Sequence, residues 1–262
     1  MADLTIPILM YHQVTPSPPP SFRKYAVRPR MFAAQMRWLA LARYTPIGLD
    51  ALVEWRAGRT DLPTRPAIIT FDDGFQDCVD YAVPILRRHG FTAVFYLVAG
   101  LAGAVSYWLE SRGLDLPIID WPAARALAAE GFVCGSHTLT HPHLSELTPE
   151  DCRTELRDSR ALLEDGLGRP VRDLAYPFGS FSPVVRQIAA ETGYRTACTT
   201  RIGRAGRDDD LLALRRVPVN GDETLLDFAS RLRTARSYGE LRGAVAHGLG
   251  RRLGLSRSEA QR

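Results

Sequence analysis

Short apolar segments alternate with segments of helical periodicity along most of this chain, and this alternation limits the possible folds more than any other feature. Seven segments have the length and the β-branched or aromatic content of buried strands. They cover residues 7–14, 67–71, 91–100, 132–137, 173–178, 194–200 and 213–219. Strands that alternate with helices form parallel βαβ units. Seven or eight such strands in one domain favour a closed α/β barrel over an open doubly wound sheet.

Composition and motif content exclude several functional classes. With 262 residues, of which 45% are hydrophobic, the chain can build a core without disulfides. It contains no GxGxxG or GxxxxGK[ST] segment, so the phosphate-binding loops of dinucleotide and nucleotide folds are missing. The formal charge of +4 is concentrated after Ser230, and no interleaved aromatic and basic pattern predicts a nucleic-acid partner. Isolated buried thiols are expected at Cys78, Cys134, Cys152 and Cys198.

Residues suited to catalysis follow predicted strands at their carboxyl ends, where parallel barrels place functional groups. Asp72 and Asp73 directly follow one apolar strand, while His12 and His137 end two others. The segment 176–179, Tyr-Pro-Phe-Gly, ends a further strand. Two adjacent carboxylates at the end of a buried strand repel each other and are costly to bury. Other parts of the chain must therefore supply partners for them.

His137 and His141 are the strongest candidates for those partners. At a separation of four residues, two imidazoles share one face of a helical turn and can bind one cation. Two imidazoles and one carboxylate suit a catalytic Zn²⁺, and also Co²⁺, Mn²⁺, Ni²⁺ or Fe²⁺. If one aspartate binds the metal, the other is free to accept a proton from the attacking water. The alternative, an Asp73-Gly74 turn, leaves Asp72 without a purpose.

The segments TFDDG (70–74) and SHTLTH (136–141) resemble the first two motifs of the polysaccharide deacetylase family. This family is also known as the NodB-homology or carbohydrate esterase family 4 enzymes. The resemblance extends over roughly residues 5–220 and implies a distorted (β/α)7 barrel in a single domain. It also implies metal-dependent hydrolysis of an N-acetyl group. The roles implied by position are the general base at Asp72 and metal ligands at Asp73, His137 and His141.

The segment RDLAYPFG (172–179) resembles the family's third motif, RxFRxPYG, with one departure. Ala175 occupies the position of the second arginine, which leaves the orientation of Asp72 unexplained. The resemblance implies that the Phe178 N–H helps to hold an oxyanion. Tyr176 and Phe178 either form walls of the acyl pocket or pack in the barrel. The candidate substrate and oxyanion residues are Tyr176, Pro177, Phe178 and Gly179.

His12, in the segment LMYHQV, is similar to a histidine of circularly permuted poly-N-acetylglucosamine deacetylases. In those enzymes the first strand supplies the general acid, so the resemblance implies that His12 protonates the leaving amine. A histidine simply packed at a strand end is the alternative. A closed barrel tolerates the permutation because its first and last strands are neighbours. His143, beyond Pro142, is interpreted as a loop residue near the site or as an auxiliary ligand.

The barrel is predicted to occupy residues 1–236, followed by a basic C-terminal tail over residues 237–262. A frayed end, a docked helix and a surface helix that contacts anionic lipid all remain open for the tail. The N-terminus lacks a positive region followed by a long apolar one, and no apolar run approaches the length of about 18–20 residues that a membrane span needs. A cytoplasmic protein is expected, with the inner membrane face as the site of any lipid contact.

The expected function is metal-dependent removal of an N-acetyl group from an N-acetylated sugar or polysaccharide. The candidate partners are an N-acetylated sugar, an oligosaccharide and a lipid-linked glycan, and the expected cofactor is a divalent metal, with Zn²⁺ favoured. Two alternatives remain. One is hydrolysis of a small non-polysaccharide amide, and the other is a non-catalytic barrel that binds acetylated sugar.

Overall fold

A computed structural model describes residues 4–240 of the chain. Its strands are β1 (Ile8–Tyr11), β2 (Gln13–Val14), β3 (Ala26–Val27), β4 (Thr45–Pro46), β5 (Pro66–Phe71), β6 (Val94–Leu97), β7 (Val133–Ser136), β8 (Asp173–Ala175), β9 (Thr196–Ile202) and β10 (Leu214–Pro218). Its α-helices are α1 (Pro29–Leu41), α2 (Leu49–Arg56), α3 (Val83–His89), α4 (Trp121–Ala129), α5 (Pro149–Leu167), α6 (Pro183–Glu191) and α7 (Leu225–Thr234). A π-helical stretch, Cys78–Ala82, leads directly into α3.

Seven parallel strands close into a barrel in the order β1-β10-β9-β8-β7-β6-β5, and β5 pairs again with β1. The closing strand is β1, which lies between β5, with Leu9 opposite Ile69, and β10, with Leu9 opposite Val217. The short strand β4 extends the sheet beside β5, and β2 pairs with β3 outside the barrel. The predicted (β/α)7 barrel is therefore confirmed, and every strand predicted from the sequence belongs to it.

Alternate residues of each strand face two separate cores, as the period of two in a β-strand requires. Ile8, Ile68, Tyr96 and Leu214 belong to the cluster inside the barrel. Leu9, Ile69 and Phe95, neighbours of the first three along their strands, belong to the larger cluster between barrel and helices, in which Phe71 stacks on Phe95 across the sheet. The sequence analysis did not predict α2, whose leucines and tryptophan join the inner cluster near the start of the strands. The N-terminal end of the barrel is thus filled with apolar side chains, which leaves the C-terminal end for chemistry.

Side-chain caps and a glycine define the ends of two helices. Asp120 accepts a hydrogen bond from Ala123 N at 2.8 Å and so caps α4. Thr148 caps α5 in the same way, and Gly168 ends that helix with a left-handed backbone. The four cysteines are free and buried, as expected. Among residues 4–240, the structure has no helix long and apolar enough to cross a membrane. Of the predicted basic tail, residues 241–262 lie outside the described residues.

Gly135 in β7 gives a test of the close packing within the barrel. A Cβ atom at this position would lie 2.7 Å from the ring of Tyr96 and 2.9 Å from the Asp173 carbonyl oxygen. We expect Gly135→Ala to lower the free energy of unfolding by about 1–3 kcal/mol, measured by denaturant unfolding. Gly206→Ala is the control, because its Cβ would meet nothing closer than 3.9 Å. Equal stability of the two variants would contradict the packing described for β7.

Candidate active site

The C-terminal ends of four barrel strands bring the predicted catalytic residues to one cavity of about 490 Å³. His12 follows β1, and Asp72 and Asp73 follow β5. His137 follows β7, and Phe178 lies in the loop after β8. His141 also lines this cavity. Because parallel strands end at the same edge of a barrel, residues that are far apart in sequence meet there.

Asp73, His137 and His141 form a compact, buried triad. Asp73 Oδ1 lies 3.3 Å from His137 Nε2 and 3.2 Å from His141 Nε2. One ligand atom from each residue lies within 4.8 Å of the other two, which suits a shared cation. Burial opposes ionisation of Asp73, but hydrogen bonds from His137 and His141 outweigh it, and the pKa of Asp73 lies far below its usual range. The carboxylate is therefore held ionised among the two imidazoles.

The loop from His137 to His141 differs from the predicted geometry. The two imidazoles were expected to share a face of a helical turn, but the residues between them form bends, and Thr138 and His141 have φ values of 68° and 65°. A carboxylate oxygen of Glu155 accepts hydrogen bonds from the backbone N–H groups of Leu139 and Thr140, each at 2.9 Å. The loop is thus tied to α5, and this tie offsets the cost of left-handed backbone at residues other than glycine.

The donor set of the triad fits a divalent cation. His137 Nδ1 lies 2.8 Å from the carbonyl oxygen of Ala175, an acceptor that assigns the ring proton to Nδ1. The other ring nitrogen, Nε2, lies 3.3 Å from Asp73 Oδ1 and is the atom that a cation would bind. Burial lowers the pKa of His141, so its ring favours the neutral form. Two imidazole nitrogens and a carboxylate oxygen that converge at this distance suit a cation, and a backbone acceptor behind the ring is the arrangement that metal-binding histidines use.

Asp72 has a partner that the sequence analysis missed. Arg216, on β10, is fully buried and donates two hydrogen bonds to the Asp72 carboxylate, Nη1 to Oδ1 and Nη2 to Oδ2, both at 2.6 Å. Arg216 also donates to Thr199 O at 2.9 Å and to Thr70 Oγ1 at 3.1 Å. Burial raises the pKa of Asp72, but the charge and hydrogen bonds of Arg216 outweigh it, and the net shift is downward. Asp72 is therefore ionised and fixed in orientation.

Arg216 explains how Asp72 is oriented although the third motif has Ala175 in place of its second arginine. Ala175 is fully buried at the end of β8, and its carbonyl oxygen faces His137, so this position contributes only backbone to the site. The guanidinium that orients Asp72 comes instead from β10. The sequence signal was the doublet Arg215-Arg216 in a strand of otherwise apolar residues. One of two consecutive strand residues must face the barrel interior, but the sequence does not show which one.

His12 lines the same cavity. Its ring packs edge-on against Tyr25 at a centroid distance of 5.1 Å. Its carbonyl oxygen accepts a hydrogen bond from the Cys78 thiol at 3.0 Å, which holds the end of β1 against the helical segment after β5. His12 is partly exposed, so its imidazole can meet a bound substrate.

Of the four candidate residues in the third motif, Phe178 lines the cavity, while Tyr176 packs in the core. The Tyr176 hydroxyl donates to Leu212 O at 2.9 Å, and its ring stacks on Phe181. Phe178 has a φ of 58° and stacks on His143 at 3.9 Å. This contact places His143 at the rim of the cavity.

Pro177 and Gly179 shape the turn around Phe178. A Cβ at Gly179, where φ is 68°, would lie 2.0 Å from Thr200 Oγ1.

Comparison with known proteins identifies the family. The family described as polysaccharide deacetylase matches residues 59–197, more than half of the chain. The chain belongs to the polysaccharide deacetylase family. YxkH of Bacillus subtilis is 28% identical over 218 residues, which cover 82% of this chain and 71% of YxkH. The poly-β-1,6-N-acetyl-D-glucosamine N-deacetylase of Staphylococcus epidermidis is 22% identical over 213 residues, covering 78% of this chain and 72% of that protein.

The solved structures agree with the fold. The Streptococcus pyogenes deacetylase PplD, solved in complex with acetate, superposes with a TM-score of 0.77 and 24% sequence identity. The match covers 88% of this chain and all of the PplD chain. At this level of identity the likeness establishes the barrel of the deacetylase family and leaves the roles of individual side chains to the geometry described above.

Substitution of Arg216 tests whether it orients Asp72. We expect Arg216→Lys to lower kcat about 10- to 100-fold, as for other residues that hold a catalytic group in place. Because burial then raises the Asp72 pKa with less opposition, activity should begin at higher pH, and the acid limb of the kcat/KM profile should move upwards. Arg215→Gln, on the exposed face of β10, is the control. An acid limb that stays in place in a folded Arg216→Lys variant would rule out this role.

Proposed function

We propose that this protein is a metal-dependent carbohydrate N-deacetylase that removes an acetyl group from an N-acetylated sugar. The observation that carries the proposal is the side-by-side arrangement of two ionised aspartates with separate partners. Arg216 holds Asp72, and two imidazoles surround Asp73 in the same cavity. Family membership and a relative named as a poly-N-acetylglucosamine N-deacetylase support the reaction class.

The proposed metal ligands are Asp73, His137 and His141. When bound there, a divalent cation would polarise the acetamide carbonyl and acidify water, and Zn²⁺ is the favoured ion among Co²⁺, Mn²⁺, Ni²⁺ and Fe²⁺. Asp72 accepts the proton of the attacking water, because Arg216 keeps its carboxylate ionised and pointed into the cavity. The Arg216 charge also keeps Asp72 from competing with Asp73 for the metal.

Two further groups complete the proposed reaction. His12 donates a proton to the departing amine, since an amine leaves readily only when it is protonated. The Phe178 N–H is the proposed backbone donor to the oxyanion. Phe178 is held in the left-handed conformation between His141 and His143, with ring centroids 4.7 and 3.9 Å away. This packing fixes the orientation of the Phe178 peptide group before substrate binds.

Two narrower proposals concern the size of the substrate and the compartment in which the protein meets it. A small or lipid-linked N-acetylated sugar, met inside the cell, is preferred to an extended polysaccharide, with the Arg-rich tail as a contact to the inner membrane face. Hydrolysis of a different small amide and binding without cleavage are the competing functions. An assay of acetate release from N-acetylated sugars, oligosaccharides and nucleotide sugars, with and without a chelator, separates these functions.

Asp72 and His137 should respond differently to substitution. Asp72→Asn should lower the rate of acetate release by about 10²- to 10⁴-fold, as expected for loss of a general base, and should leave bound metal nearly unchanged. His137→Ala should abolish both activity and metal binding, measured by elemental analysis of the purified protein. Asp165→Asn, an exposed aspartate on α5, is the matched control. Near-full turnover by Asp72→Asn would show that another group is the base.

His12 can be tested by changing the leaving group. His12→Gln should lower the rate of N-acetyl hydrolysis about 10²-fold or more, because the amine then leaves without a proton. Hydrolysis of p-nitrophenyl acetate should be affected far less, because p-nitrophenolate leaves without protonation. Equal losses on the amide and the ester would indicate that His12 positions the substrate and does not act as the acid.

A further inference from the structure

Two cationic side chains at the mouth of the catalytic cavity have no carboxylate partner. Lys24 and Arg112 both line the cavity, and both are exposed. Within residues 4–240, no carboxylate oxygen lies within 4.0 Å of the charged group of either side chain, whereas Arg231, which lines the same cavity, is paired with Glu223. Lys24 and Arg112 therefore bring positive charge to this mouth without a direct carboxylate partner among the described residues.

Arg112 is held in place at this mouth. Its Nη1 donates to Ser21 O at 3.1 Å, and the Ser21 hydroxyl donates back to Arg112 O at 3.2 Å. The Arg112 guanidinium lies 5.9 Å from the Phe22 ring centroid and 5.7 Å from that of Tyr25. Lys24 Nζ lies 5.8 Å from the same Tyr25 ring. A guanidinium fixed in this way, with donors still unused, is suited to bind a phosphate or a carboxylate.

The other charged residues that line the cavity have partners of opposite charge or imidazole neighbours. Asp72 pairs with Arg216, and Asp73 lies against two imidazoles. Arg231, which also lines the cavity, donates to Glu223 at 2.6 Å, and Glu240 lies 3.6 Å from it, so this group carries one net negative charge. Among the described lining residues, Lys24 and Arg112 are thus the cations without a carboxylate partner, and a divalent cation at the triad would make the net charge of the cavity positive.

The position of Tyr25 indicates which part of the substrate meets these cations. Tyr25 contacts His12, the proposed donor to the leaving amine, and both Lys24 and Arg112 flank the Tyr25 ring. The leaving amine belongs to the sugar, while the acyl group is released as acetate. Contact with His12 through Tyr25 therefore puts Lys24 and Arg112 on the side of the leaving amine, which belongs to the sugar.

We propose that the substrate is an N-acetylated sugar that carries an anionic group, a phosphate or a carboxylate, which Lys24 and Arg112 bind. This inference rests on the proposed function and adds the charge of the substrate. Phosphate and carboxylate share the chemistry that the two side chains recognise, so both are tested separately.

The experiment compares neutral and anionic sugars as substrates. Acetate release is measured from N-acetylglucosamine, its 1-phosphate and 6-phosphate, and an N-acetylated aminouronic acid. We expect kcat/KM about tenfold or more higher for an anionic sugar than for the neutral one, the size of a charge-assisted contact. Arg112→Gln and Lys24→Gln should each raise KM for the anionic substrate by about tenfold, with kcat nearly unchanged. Arg112→Lys should restore part of the loss.

Controls separate this proposal from the proposed function. Arg88→Gln, an exposed arginine on α3, should alter no parameter. Turnover of neutral and anionic sugars at equal efficiency, unaffected by Arg112→Gln and Lys24→Gln, would overturn the anionic substrate and leave the deacetylase function intact. Isothermal titration calorimetry of each sugar with the Asp72→Asn protein measures binding affinity without turnover. Preferential binding of anionic sugars without any acetate release from the unmodified protein would overturn the deacetylase function and retain the anionic site.

Discussion

The burial of two adjacent carboxylates is the constraint on which the site depends. Asp72 and Asp73 are 2% and 5% exposed, and neither could remain ionised there alone. Each has a different partner, a guanidinium for Asp72 and a pair of imidazoles for Asp73. Removal of Arg216 would leave the Asp72 charge buried and uncompensated, which typically costs about 3–5 kcal/mol, and removal of the imidazoles would leave Asp73 without its hydrogen-bond partners. The partners that stabilise the two buried carboxylates also give Asp72 and Asp73 different chemical environments. Stability and function therefore both require the same partner residues.

The closed barrel is what allows Arg216 to reach Asp72. The two residues are 144 positions apart in sequence, and their strands, β10 and β5, are separated only by β1. An open sheet would place the last strand at an edge, far from β5. The same closure brings His12, from the first strand, beside Asp72, which follows β5. The candidate catalytic groups therefore depend on a pairing that forms only when the ends of the sheet meet.

The fold and the meeting of Asp73, His137 and His141 could be predicted from sequence because their signals are local. Strand length and apolar content predicted every barrel strand, and the acidic pair and HxxxH spacing predicted the residues that meet around a shared point. Arg216 could not be predicted, because an inward arginine differs from the outward Arg215 only in register, which the sequence leaves undetermined. The turn between His137 and His141 was predicted wrongly, because its left-handed residues are stabilised by Glu155 from a distant helix. Tertiary contacts determine both the inward orientation of Arg216 and the conformation of the turn.

Burial divides the site into two parts with different constraints. Asp72, Asp73 and Arg216 lie inside, where charge pairing and packing leave no room for substitution. Phe178, half exposed, and the cations Lys24 and Arg112 lie at the mouth, where a changed side chain disturbs no core contact. Relatives that share the interior can therefore catalyse the same bond cleavage while their rims select different sugars. Identity of 22–28% with two relatives extends over most of the barrel, and under the proposed function the charge at the mouth would select among N-acetylated sugars.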